Sequence, residues 1–100
     1  MTHKLDAAGK RRDSLSDLDD NGEIGDWFVD EVSGNMFLVM PFEMDGEIGK
    51  DLVRCPYRTP LENGACWKYN GNPNAPTLRP SLNYVNVWHG YLTDGKMKHV

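Results

Sequence analysis

The apolar residues of this chain never recur at helical spacing over a long stretch. They come in short runs, cut apart by ten glycines and six prolines. A chain punctuated in this way can bury itself only by pairing strands through tight turns. "DWFVDEV" and "MFLVMPF", separated by "SGN", read as a hairpin in which Gly34 or Asn35 takes positive φ. "DLVRC" (51–55) and "CWKY" (66–69) are short candidate strands. "SLNYVNVW" (81–88) reads as one strand, with Leu82, Tyr84 and Trp88 on one face and Val85 and Val87 on the other. "HGYLTDGKMKH" closes the chain as a second hairpin turned at Asp94-Gly95. The expected fold is mainly β: a small antiparallel sheet or partly open barrel built from hairpins, with a flexible charged N-terminal extension. A short helix near Ser14–Asp20, with Ser14 as its N-cap, is the one helical signal.

One hundred residues make one small domain. No apolar run is long enough to span a membrane, and the basic N-terminus is followed by no apolar segment of a secretory signal. The cytoplasm of a bacterial host, or a virion, is the expected location. The net charge of -4 hides a segregation. Lys4, Lys10, Arg11 and Arg12 face only Asp6 in residues 1–12, whereas residues 13–31 hold eight acids and no Lys or Arg. This divides the chain into a disordered basic tail (1–13), an acidic linker (14–26) and a β-rich domain (27–100). The basic tail is too small a face for general nucleic-acid binding.

Asp17, Asp19, Asn21 and Gly22 have the spacing that opens an EF-hand loop. The twelfth position then falls on Phe28 instead of a bidentate Glu, which argues against calcium. "NGEIG" (21–25) and "DGEIG" (45–49) both read as turns.

The second half carries an ordered set of short motifs: Trp67, Asn70 and Gly71; Pro76, Thr77, Pro80 and Ser81; then Trp88, His89, Gly90, Tyr91, Asp94 and Gly95. With "GDWFVDE" at 25–31, this pattern resembles a family of short proteins of tailed bacteriophages and prophages, known as a domain of unknown function. The resemblance implies phage origin and, from extra cysteines in many relatives, a zinc site. Here Val87 stands where a relative has a cysteine before the Trp-His-Gly triplet. The metal candidates are Cys55, Cys66 and His89, with His99 as a fourth, but C-x10-C is not the spacing of a zinc knuckle. Two reduced structural cysteines are the plainer reading, so no cofactor is expected, with zinc as the alternative.

His89 is the best single polar candidate, either as a general base or as a tie to the carbonyls of the proline loop at 70–80. Ser81 and Thr77 read as turn and cap hydroxyls, and no Ser/His/Asp order is visible, so the sequence argues against an enzyme. The favoured reading is a non-catalytic module that binds a host or phage protein. Its expected surface is Asp17, Asp19, Asp20, Glu23 and Asp26, together with Asn70, Thr77, Trp88 and His89. A virion decoration protein and a zinc-binding module or metal-dependent enzyme are the alternatives. A second copy of the chain is admitted as a partner, and a membrane is not.

Overall fold

The computed structural model describes residues 3–84 and 86–100. Its elements in chain order are β1 (Ala7–Ala8), α1 (Leu15–Asn21), β2 (Trp27–Asp30), β3 (Asn35–Met44), β4 (Glu47–Pro56), β5 (Lys68–Tyr69), β6 (Leu78–Tyr84), β7 (Trp88–Thr93) and β8 (Lys96–His99). They form two antiparallel sheets, one ordered β2-β3-β4 and the other β1-β8-β7-β6-β5, and neither closes into a barrel. Among the described residues, no helix is long and apolar enough to cross a membrane.

The core lies between the sheets and follows the period-two rule of strands. Trp27 and Val29 on β2, Met36, Leu38 and Met40 on β3, Leu82 on β6, Trp88 and Leu92 on β7, and Met97 on β8 all turn inward. The opposite parity on β6 and β7, which includes Ser81, Asn83 and His89, faces outward.

Turn chemistry matches the residues that supply it. Gly34 takes φ 74° between β2 and β3. Asp94 and Gly95 take φ 50° and 76° between β7 and β8, the pair of positive values that a type I′ turn demands. Asp45 and Gly46 do the same between β3 and β4. Pro41 sits inside β3, but it lies past the last residue paired with β2, so no ladder bond to β2 is lost.

Two expectations need correction. The stretch 81–88 is not one strand. β6 stops at Tyr84 and β7 starts at Trp88, with Asn86 at φ 64° and the Val87 N–H donating to the Tyr84 carbonyl at 2.8 Å. Val85, assigned to a strand face from the sequence, lies outside the described residues.

The segment read as a disordered tail is laid onto the sheet. Ala7 and Ala8 pair with Met97 and Lys96 of β8, Leu5 and Ala7 pack on the core, and the Leu5 carbonyl accepts the Trp88 indole N–H at 2.8 Å. The anchor is Asp26, a buried carboxylate inside the segment read as a solvated linker. It accepts from the Lys10 and Glu23 backbone N–H groups at 2.9 and 3.0 Å, and the Arg12 guanidinium stands 2.8 Å away. Burial alone would push its carboxyl up, but these donors together hold it below the ordinary carboxylate range. The basic tail thus carries the cation that a buried acid needs.

Candidate active site

The site is built where β6 departs from regular pairing. Leu78 pairs with Leu92, and pairing resumes only at Leu82 with Gly90, so Arg79, Pro80 and Ser81 bulge against one partner residue. Pro80 brings no N–H to the ladder. The Arg79 guanidinium fills the gap: it donates to the Leu78 and Leu92 carbonyls at 2.8 and 3.1 Å and to Thr93 Oγ1 at 2.9 Å, and it lies over the Tyr91 ring. Ser81 closes the bulge, on the outward face of β6.

His89 comes from the facing strand. It pairs with Asn83, two residues from Ser81 and on the same outward face. Its Nε2 stands 3.0 Å from Ser81 Oγ, and both side chains are half-buried. Among the described residues no carboxylate bonds the His89 ring, so the pair is a dyad.

The two residues flanking His89 explain its aim. Trp88 is fully buried on the inward side, and a Cβ on Gly90 would lie 2.5 Å from its ring and 2.1 Å from the Lys98 carbonyl. Only glycine lets the indole and β8 close in from behind, which leaves His89 facing out. In front of it lies a cleft of about 330 Å³ whose walls include His3, Lys4, Asn83, Asn86 and His99.

Most other motif residues build the frame. Asn70 Oδ1 accepts from the Asn72 and Thr77 N–H groups, and its Nδ2 donates to the Ala75 carbonyl at 3.1 Å. Thr77 Oγ1 accepts the Asp94 N–H at 2.9 Å, and the Pro76 carbonyl accepts the Gly95 N–H at 2.8 Å. The proline loop is therefore bolted to the β7–β8 turn. Neither Asn70 nor Thr77 touches the dyad, and Trp88 lies beneath it.

The acidic candidates stand apart from this site. Asp17, Asp19 and Asp20 lie on α1, not on an ion-binding loop. Ser14 caps that helix by accepting the Asp17 N–H at 3.0 Å. Asp17 accepts from Asn21 Nδ2, Glu23 lies 3.6 Å from Lys50, and Asp26 is the buried anchor described above.

The proposed metal set is not assembled either. Among the described residues no group of three or more His, Cys, Asp or Glu converges as a metal site. Cys55 points into the core, where burial pushes its thiol up to about 12, and His89 is engaged by Ser81. The expected tie from His89 to the proline-loop carbonyls gives way to this bond.

Ser81, dismissed from the sequence as a turn hydroxyl, is the partner of His89 that the sequence reading missed. Its signal was present: it ends one motif and His89 sits in the next, on what prove to be consecutive paired strands.

Residues 42–100 match the family described as "Bacterial ubiquitination-like system serine protease (BubE)". The matched stretch contains every motif from Trp67 to Gly95 that the sequence reading gave to a phage family of unknown function, and it overturns that assignment. With the Ser81–His89 bond, it also overturns the reading as a non-catalytic interaction module and the argument against an enzyme. No curated protein and no solved structure was found to match the chain. By the match over more than half its length, the chain belongs to the BubE family of serine proteases.

Proposed function

We propose that the protein is a serine peptidase in which Ser81 is the nucleophile and His89 the general base. The observation that carries the reading is the 3.0 Å separation of Oγ and Nε2 within the family-matched segment. A serine hydroxyl is a poor nucleophile until a base takes its proton. With the ring proton on Nδ1, Nε2 accepts the hydroxyl proton as Oγ bonds to the carbonyl carbon of the substrate. The carbonyl π electrons move to oxygen. When the tetrahedral species collapses, the amide C–N bond breaks and Nε2–H returns the proton to the leaving amine. Water, deprotonated by the same Nε2, then cleaves the acyl-serine and regenerates Oγ–H.

Asn83 is the side-chain donor that the register sets beside the pair, opposite His89 and on the wall of the cleft. An amide N–H there suits a developing oxyanion. The family is described as the serine protease of a bacterial ubiquitination-like system, and the substrate we propose is a protein of such a system, cut at an amide bond.

A fluorophosphonate probe followed by peptide mapping tests the assignment. The adduct is expected on Ser81 of the folded protein and is lost in Ser81→Ala. A folded wild-type protein that takes no adduct, or takes it at Ser14, Ser16 or Ser33, overturns the reading.

A further inference from the structure

The seam between the two sheets has an unused recognition surface. β4 is the outer strand of its sheet, and β5 covers β6 only at Leu78 and Arg79, so among the described residues no strand lies beside the β6 edge beyond Arg79. Two side-chain links cross the gap. The Tyr84 hydroxyl donates to Asp51, and the Trp67 indole N–H donates to the carbonyl of Ser81 at 3.4 Å. Between them is a hollow of about 80 Å³ walled by Met40, Val53, Cys55, Trp67, Leu82 and Tyr84, with Asn83 at its rim.

We infer that this hollow is the subsite that receives an apolar side chain of the substrate beside the bond that is cut. The inference rests on the Ser81–His89 reading and adds the class of sequence the site selects. Three observations carry it. The hollow adjoins the nucleophile through Trp67, which is bonded to the backbone of Ser81 itself. Its wall bears no charge: the Cys55 thiol is buried and protonated, and the Tyr84 hydroxyl is spent on Asp51. A charged side chain entering it would lose its water without gaining a partner, whereas an aliphatic one would gain burial. Finally, an extended peptide added along an open strand edge makes main-chain bonds and sends alternate side chains to opposite faces. Along β6 this sends one side chain into the seam while the backbone passes Ser81. The size of the hollow admits a few heavy atoms of an aliphatic chain and excludes an indole.

The test is cleavage of a proteome-derived peptide library by wild-type protein, with Ser81→Ala as the blank. Ser81-dependent cuts are expected to be enriched in Val, Ile or Leu at one position flanking the bond and depleted in Asp, Glu, Lys and Arg there. Val53→Ala widens the hollow. It should raise the ratio of kcat/KM for Phe over Val peptides by roughly tenfold or more, the scale on which apolar pockets discriminate. Val53→Phe should shift the ratio toward Ala. If Val53→Phe does not fold, the Val53→Ala ratio carries the test, because shortening a half-buried side chain leaves the fold intact. Ser81-dependent cleavage with no apolar preference at either flanking position, or an unmoved ratio in Val53→Ala, overturns the subsite and leaves the peptidase reading standing. An absence of Ser81-dependent cleavage together with an absence of the fluorophosphonate adduct overturns both.

Discussion

The β3–β4 and β6–β7 hairpins use the same antiparallel chemistry to different ends. β3 and β4 pair at ten consecutive positions, from Asn35 with Pro56 to Met44 with Glu47. That ladder keeps one register throughout: Met36, Leu38 and Met40 fill the core between the sheets, and on the other face Val39 is buried beside Leu18 and Gly22. β6 and β7 pair at Leu78–Leu92, lose register across Arg79–Ser81, and resume at Leu82–Gly90. Regularity gives the first hairpin its place in the core. Its interruption leaves Ser81 on the same outward face as His89, within hydrogen-bond reach of it.

The difference can be broken from the irregular side first. His89→Ala should lower peptidase turnover and fluorophosphonate labelling by about four orders of magnitude or more, with the melting temperature nearly unchanged, because a half-buried outward ring does little for the core. A small loss of activity would show that another group takes the Ser81 proton. Gly90→Ala acts on the scaffold behind His89. Its Cβ meets backbone at 2.1 Å, so β8 must shift, and a loss of about 2–3 kcal/mol is expected by chemical denaturation. A loss under about 1 kcal/mol would mean that β8 yields easily.

Arg79→Ala should cost about 1–2 kcal/mol, because the Leu78 and Leu92 carbonyls lose their donor, and turnover should fall as the bulge relaxes. Arg79→Lys should not restore it, since an ammonium cannot fork to two carbonyls and a hydroxyl as the guanidinium does. Equal rescue by lysine would reduce the role of Arg79 to charge. The smallest effect belongs to the regular hairpin. Gly46 has φ 80° with open space around its missing Cβ, so Gly46→Ala should cost about 1 kcal/mol of backbone strain and leave turnover unaltered. A fall in turnover there would bring the β3–β4 tip into the reaction.

The same contrast explains what the sequence revealed. Strands and turns that follow local rules were legible: the Asp94-Gly95 hairpin, a positive φ at Gly34 or Asn35 that Gly34 takes, the Ser14 cap and the β-rich class. The dyad was not, because 81–88 alternates well enough to pass for one strand. Drawn straight, that strand would separate Ser81 from His89 by about 26 Å, at roughly 3.3 Å per residue. The fold-back at Asn86 brings them together, and a lone asparagine that tolerates left-handed backbone was the only local sign of it. The packed N-terminus was missed for another reason. Few of its residues are apolar, with Leu5 and Ala7 at strand spacing, and Arg12 answers to Asp26, whose burial no local pattern shows. Composition also pointed to the acidic run as one surface, whereas its members play separate parts: Asp17 bonds Asn21, Glu23 lies near Lys50 and Asp26 anchors the N-terminal segment.

The pairing of Ala7 with Met97 sets an order of assembly. The Ser81–His89 hairpin closes a loop of only a few residues, but β1 and β8 close one of about ninety. Chain-closure entropy makes the longer closure costlier by about 2 kcal/mol, and it can begin only once nearly the whole segment has been synthesised. A nascent chain therefore reaches its reactive hairpin before the Leu5 carbonyl clasps Trp88 and before His3 and Lys4 wall the cleft. Residues 3–8 take their place after the hairpin they border, and the finished cleft appears only when β1 pairs with β8.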